Sequence, residues 1–190
     1  MNISIYCGSQ TGKNPVYIEK AKELGEQLAK AEIGIVYGGS NIGLMGAIAD
    51  QALLHGGRVI GIMPEHLQKR EVAHLHLTEI YIVDSMHTRK AKMADLADAY
   101  IALPGGCGTL DEYFEIFTWA QIGLHTKPVI LYNINGFYDA LILHFEKMLD
   151  DGFIREEQRS ILQVATSVDD IFNILSANHD EIIKVANLTK

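Results

Sequence analysis

The chain has 190 residues, 48% of them hydrophobic and 21% charged, with a formal net charge of −8. That length fits one domain able to bury a core without staples, no stretch approaches the ~20 apolar residues of a membrane helix, and the acidic balance argues against a general nucleic-acid binder. Two cysteines, Cys7 and Cys107, fit a reducing compartment without a disulfide framework, and the opening Met1-Asn2-Ile3-Ser4-Ile5-Tyr6-Cys7 lacks a secretory-signal pattern, so a cytoplasmic protein is expected.

Short apolar runs alternate with amphipathic stretches along the chain. The predicted strands are Ile3–Cys7, Ile33–Tyr37, Arg58–Met63, Ile80–Val83, Tyr100–Leu103 and Val129–Tyr132. Their continuous apolar character suits strands buried on both faces of a parallel sheet. Between them fall helical patterns at Val16–Lys30, Leu44–His55, Arg89–Ala97, Leu110–Ile122 and Tyr138–Asp151. Gly152 ends the last of these, and short helical pieces follow at Glu156–Ile161 and Val168–Ser176, with a terminal helix over Ala177–Lys190. The alternation predicts an α/β fold: one three-layer domain over 1–190, a Rossmann-like doubly wound parallel sheet on which the helices after about residue 152 pack. One long irregular segment, Pro64–Thr78, carries Glu65, His66, Lys69, Arg70, Glu71, His74 and His76, and long loops in compact domains are more often functional than idle.

In such a sheet ligands bind beyond the carboxyl ends of the strands, at helix N-termini. Three strand-to-helix junctions are rich in glycine and small polar residues. The first is Cys7-Gly8-Ser9. The second runs Gly38-Gly39-Ser40-Asn41-Ile42-Gly43-Leu44-Met45-Gly46, whose spacing departs from the dinucleotide fingerprint and is equally readable as a tight turn. The third is Pro104-Gly105-Gly106-Cys107-Gly108-Thr109-Leu110-Asp111-Glu112. Glycines there free backbone amides to cradle an anion. Thr109 stands where an N-cap belongs, so Thr109 and Glu112 also read as a capping box, in which Glu112 only bonds a backbone amide. Both readings stay open on spacing.

The segment Asp84-Ser85-Met86-His87-Thr88-Arg89-Lys90 follows a strand at the same edge of the sheet. Arg89 presents a planar fork suited to phosphate or carboxylate, and Lys90 adds a point charge. Both are expected to open a helix, where positive charge opposes the macrodipole and needs an anion to justify it. A solvated face is the alternative, most of all for Lys92. His66, His74 and His76 lack a cysteine or carboxylate at ligand spacing, so no metal is expected. Phe114, Phe117 and Trp119 are expected in the core or an interface.

Taken together, Cys7-Gly8-Ser9, Tyr37-Gly38-Gly39, Gly43-Leu44-Met45-Gly46, Met86-His87-x-Arg89-Lys90 and Pro104-Gly105-Gly106-x-Gly108-Thr109-x-x-Glu112 resemble the LOG family. Its members are cytokinin riboside 5′-monophosphate phosphoribohydrolases, long mislabelled as lysine decarboxylases. The resemblance runs from about Asn2 to Leu175. It implies a Rossmann-like homodimer that cleaves the N-glycosidic bond of an adenine-type nucleotide into free base and ribose 5-phosphate, with no cofactor or metal. Carried onto matching positions, it makes Arg89 and Glu112 the catalytic pair. It lines the nucleotide pocket with Glu71, Met86, Lys90, Gly105, Gly106, Cys107, Gly108, Thr109 and Thr118, and puts Ser9, Gly39 and Ser40 near it. Two positions depart from the family pattern. Cys107 stands where an aromatic residue is common, and Ser40 where a third glycine is usual.

On this reading Glu112 lies under the ribose, stabilises the oxocarbenium-like state and activates water. Glu115, one turn along, either raises the Glu112 pKa or is a solvated carboxylate. The strongest rival is a non-catalytic carrier of a nucleotide or of molybdenum cofactor on the same fold, which would not need Arg89, Lys90 and Glu112 jointly. A pyridoxal-phosphate decarboxylase would need a far larger scaffold.

Overall fold

The structure is a computed structural model that describes residues 1–68 and 73–188, with side chains as far as residue 178. Strand β1 (Asn2–Tyr6) leads into helix α1 (Val16–Lys30), then β2 (Gly34–Tyr37), α2 (Gly43–Leu54) and β3 (Val59–Pro64). After a 3₁₀ turn at Glu65–Leu67 come β4 (Glu79–Val83), α3 (Met86–Leu96), β5 (Ala99–Ala102), α4 (Cys107–Gln121) and β6 (Val129–Tyr132). A second 3₁₀ turn at Ile134–Gly136 precedes α5 (Asp139–Asp150), α6 (Glu156–Arg159), β7 (Gln163–Ala165) and α7 (Val168–Leu188).

All pairings are parallel, in the order β4-β3-β2-β1-β5-β6-β7. The sheet therefore reverses direction of growth between β1 and β5, the place where doubly wound sheets open a crevice. Alternate side chains of the inner strands enter opposite layers. Ile3 and Ile5 pack with Leu24 and Leu28 of α1, Ile48 of α2 and Ile171 and Leu175 of α7. Tyr6, Val36 and Tyr100 pack with Met93 of α3, Tyr113 and Phe117 of α4 and Phe145 of α5. Burial on both sides is why the strands read as continuous apolar runs. Helix α1 approaches α2 so closely that a Cβ on Gly25 would lie 2.5 Å from the Ile48 carbonyl oxygen.

Four features differ from the sequence reading. Strand β7 was unforeseen, because three residues between helical pieces give too short a pattern. The two terminal helical pieces are one helix, α7. Strand β4 is an edge strand that leaves Ile80 and Ile82 exposed, instead of buried on both faces. Helices α3 and α4 each begin three residues earlier than their apolar periodicity suggested.

Candidate functional site

The earlier starts of α3 and α4 change what their residues can do. In α4 the N-cap is Gly106, so Thr109 is the third helical residue and not the cap. That removes the capping-box reading of Thr109 and Glu112. Gly106 brings no side-chain oxygen to the first-turn amides, which a helix leaves without internal partners. A Cβ at Gly106 or Gly108 would meet nothing within 4 Å, whereas one at Gly105 would fall 2.1 Å from Thr109 Oγ1. Gly105 is thus required by packing, and Gly106 and Gly108 leave the amides open to a ligand.

The loop after β1 is tied to this turn. Gly8 N–H donates to the Pro104 carbonyl at 3.1 Å, and Leu103 N–H donates to the Tyr6 carbonyl at 2.9 Å. Leu44 N–H at the start of α2 donates to the Gly8 carbonyl at 3.1 Å. Three strand ends, of β1, β2 and β5, so converge on one place. They enclose a cavity of about 260 Å³ with Cys7, Gly8 and Ser9 on one wall and Gly106, Gly108, Thr109, Asp111 and Glu112 on another. Gly38, Met45, Leu67, Met86 and Arg89 complete it, over Ile5 at the base.

Helix α3 supplies Arg89. Ser85 caps the helix, its hydroxyl accepting from Thr88 N–H at 3.1 Å, so Arg89 sits in the second turn, correcting the expectation that it opens the helix. It is only 6% exposed. Its guanidinium lies over Gly38, where a Cβ would come within 2.0 Å of Nη2, and Nη1 is 3.8 Å from Met86 Sδ. Among the described residues its Nε, shielded from solvent, has no hydrogen-bond acceptor, and no carboxylate forms an ion pair with it. A buried cation left without an anion is costly unless something else supplies the acceptor.

Lys90 has its anions within the protein. Its ammonium lies 3.1 Å from Asp111 and 3.2 Å from Glu115, bridging α3 to α4. Burial alone would lower its pKa, but those two carboxylates outweigh it and the net direction is upward. Glu115 is accordingly a paired carboxylate and not a solvated one, and Lys90 does not line the cavity. Burial pushes the Cys7 thiol far up, with Glu112 adding and Arg89 opposing, which favours the neutral thiol at the cavity wall. Tyr6 is likewise raised, by burial first and, among its neighbours, by the Glu112 and Glu115 carboxylates.

The structure thus gathers Ser9, Met86, Arg89, Gly106, Gly108, Thr109 and Glu112 around one cavity. Gly39 and Ser40 are buried and do not line it, and Cys107 is exposed. Thr118 is exposed about two and a half turns along α4 from Thr109. Glu71 lies outside the described residues. Met45, Leu67 and Asp111 line the cavity without having been named as site residues; only the places of Met45 and Asp111 in the quoted glycine motifs, near the starts of α2 and α4, offered a signal. His74 has both ring nitrogens engaged, Nε2 with Asp50 at 2.9 Å and Nδ1 accepting from His76 N–H at 3.2 Å. Among the described residues no group of three or more His, Cys, Asp or Glu is placed to hold a metal ion.

A family model described as "Possible lysine decarboxylase" matches residues 45–175. A cytokinin riboside 5′-monophosphate phosphoribohydrolase of Arabidopsis thaliana is 44% identical over 186 residues, 97% of this chain and 85% of that protein. One from Rhodococcoides fascians is 42% identical over 169 residues, 88% of this chain and 85% of its own. The chain belongs to the LOG family. Among solved structures, the molybdenum cofactor carrier protein of Chlamydomonas reinhardtii superposes with a TM-score of 0.71 at 19% identity, covering 95% of this chain and 98% of that one. The molybdenum cofactor binding protein of Rippkaea orientalis gives 0.70 at 20% identity, covering 93% and 95%. At that identity the likeness shows a shared fold, so LOG membership rests on the sequence relatives.

Proposed function

We propose that this LOG-family chain is a nucleoside 5′-monophosphate phosphoribohydrolase, releasing free base and ribose 5-phosphate from cytokinin riboside 5′-monophosphate or AMP. The observation that carries the reading is Arg89: a buried guanidinium without an anion among the described residues, facing a cavity that also holds Glu112. The phosphate binds the first-turn amides of α4 at Cys107, Gly108 and Thr109, where the helix dipole favours negative charge. That anchor sets the ribose against Glu112. The C1′–N bond breaks with its electron pair leaving on the base, which takes a proton from solvent to balance the one that the attacking water gives up. Water adds to C1′ as Glu112 accepts the water's proton and stabilises the cationic sugar. Arg89 orients the nucleotide and offsets charge on the departing base or the phosphate. Ser9, Gly39, Ser40, Glu71, Met86, Lys90, Gly105 and Thr118 complete the binding surface directly or by holding it in shape.

The same reading makes the chain a cytoplasmic homodimer. The unpaired Cys7 and Cys107 suit a reducing compartment, and no helix is long and apolar enough to cross a membrane among the described residues. Ile122 and Leu124, exposed at the end of α4 near Thr118, offer an apolar patch for a second copy. Sedimentation at micromolar concentration decides it, and a monomer there removes the dimer from the proposal.

The test of activity is chromatography of base and ribose 5-phosphate after incubation with AMP and with isopentenyladenosine 5′-monophosphate. Wild type releases base. Glu112→Gln retains fold and binding but loses about 100-fold or more in rate, the scale of a general base. Turnover retained by Glu112→Gln removes that residue from its role. Tight nucleotide binding without release by wild type would favour a carrier.

A further inference from the structure

The guanidinium of Arg89 rests on a floor that is itself held from below. Gly38 lies directly under it, too close for any side chain. The next residue, Gly39, has a φ of 81°, and its carbonyl accepts a 2.9 Å hydrogen bond from His74 N–H. Ser40 and Ala73 form an antiparallel bridge beside that bond. The His74 side chain, 4% exposed, then turns to helix α2 and meets the Asp50 carboxylate at 2.9 Å, while Asp50 itself is 71% exposed. Its Nδ1 accepts from His76 N–H, which assigns the proton to Nε2 and aims it at Asp50. Neither His74 nor Asp50 lines the cavity.

The chain of contacts therefore runs Asp50, His74, Gly39, Gly38, Arg89. Among the described residues Arg89 receives little direct support of its own, its side-chain hydrogen bond being the long one to Met86 Sδ. A cation held chiefly by the shape of the surface beneath it follows that surface when it moves. A buried histidine bonded at both nitrogens and at its backbone amide is a rigid element on which to fix such a surface.

We propose that His74 and Asp50 are positioning residues for Arg89, a strut that fixes the Gly38-Gly39 floor and through it the guanidinium. This rests on the reading of Arg89 as a group that acts on the nucleotide. The test compares Asp50→Ala, His74→Ala and His74→Gln in wild-type and in Arg89→Lys backgrounds. Asp50→Ala removes an exposed side chain from a helix and keeps the experiment readable if His74→Ala does not fold. In the wild-type background the alanine variants lower the single-turnover rate of base release by about tenfold to a hundredfold, the cost of a displaced catalytic group. The Kd for ribose 5-phosphate, a probe of the α4 amides, stays within about twofold. His74→Gln, which keeps a donor toward Asp50, recovers part of the rate. In the Arg89→Lys background the same changes cost less than about twofold, because the group they position is gone. Equal losses in both backgrounds overturn the proposal.

A second readout needs no turnover. The Nε–H of Arg89, shielded and without an acceptor among the described residues, gives a protected ¹⁵N resonance that Arg89→Lys identifies by its loss. Asp50→Ala shifts or broadens it, and an unchanged resonance overturns the strut. If wild type releases no base from any nucleotide, the proposed activity fails while this signal still decides the positioning.

Discussion

A methyl group placed on Gly38 would collide with Arg89, and one placed on Gly106 would meet nothing. Those two glycines therefore separate two jobs that the sequence showed only as flexible turns. Gly38→Ala pushes the guanidinium off its floor, so the rate of base release falls about tenfold or more while thermal melting changes little, because the atom that yields is the end of a side chain. Gly106→Ala leaves folding and Arg89 alone and crowds the amides of α4, raising KM with kcat nearly unchanged. Kinetics on both variants check the division, and equal effects on the two constants would refute it. At this scale the resemblance supplied Arg89 and Glu112, but spacing left Glu112 open to a capping role. Only the register of α4, starting at Cys107, removes the capping-box reading. The His74 to Asp50 contact had no sequence signal, since it joins residues 24 positions apart on different elements.

Helices α3 and α4 carry Arg89 and Glu112 to the cavity, and their first turns are what sequence periodicity missed. Helix α4 begins with Cys107-Gly108, which read as loop because glycine favours neither helix nor strand. Helix α3 begins at Met86 behind the Ser85 cap, one turn before the apolar repeat becomes visible. Ser85→Ala removes that cap and costs about 1 kcal/mol, measurable by urea denaturation, with a rate loss only if the first turn frays as far as Arg89. The Lys90 bridge to Asp111 and Glu115 joins the two helices. The strands were legible because a parallel sheet covered on both faces leaves apolar runs; β7, with three residues, left too little to read.

On the scale of the molecule, one contribution to the pH response of stability comes from a residue remote from the cavity. His125, before β6, accepts from Lys127 N–H at Nδ1 and bonds the Ile116 carbonyl through Nε2. Burial lowers its pKa. The folded protein thus prefers neutral His125, and as pH falls the unfolded chain takes up the proton first. The stability it contributes is whole above the unfolded value of about 6.5 and is lost as pH falls from there toward the folded one. His125→Gln flattens that part of the pH dependence of the urea midpoint between about pH 7 and 5. The catalytic profile of the variant is unchanged, since His125 is remote from the cavity.

The reversal of strand order between β1 and β5 also sets when a ligand can first be held. Ile3 pairs with Ala99, so the two strands that flank the crevice are separated by most of the preceding chain. Until β5 docks, Gly8 has no Pro104 carbonyl to bond and α4 has no anchored first turn. A folding chain that has completed only β1 through β4 is well advanced in structure and has no crevice to offer a ligand. Such long-range parallel pairing is slow, so recovery of nucleotide binding after dilution from denaturant lags the return of helical signal. Added ligand then protects the finished fold without recruiting its intermediates.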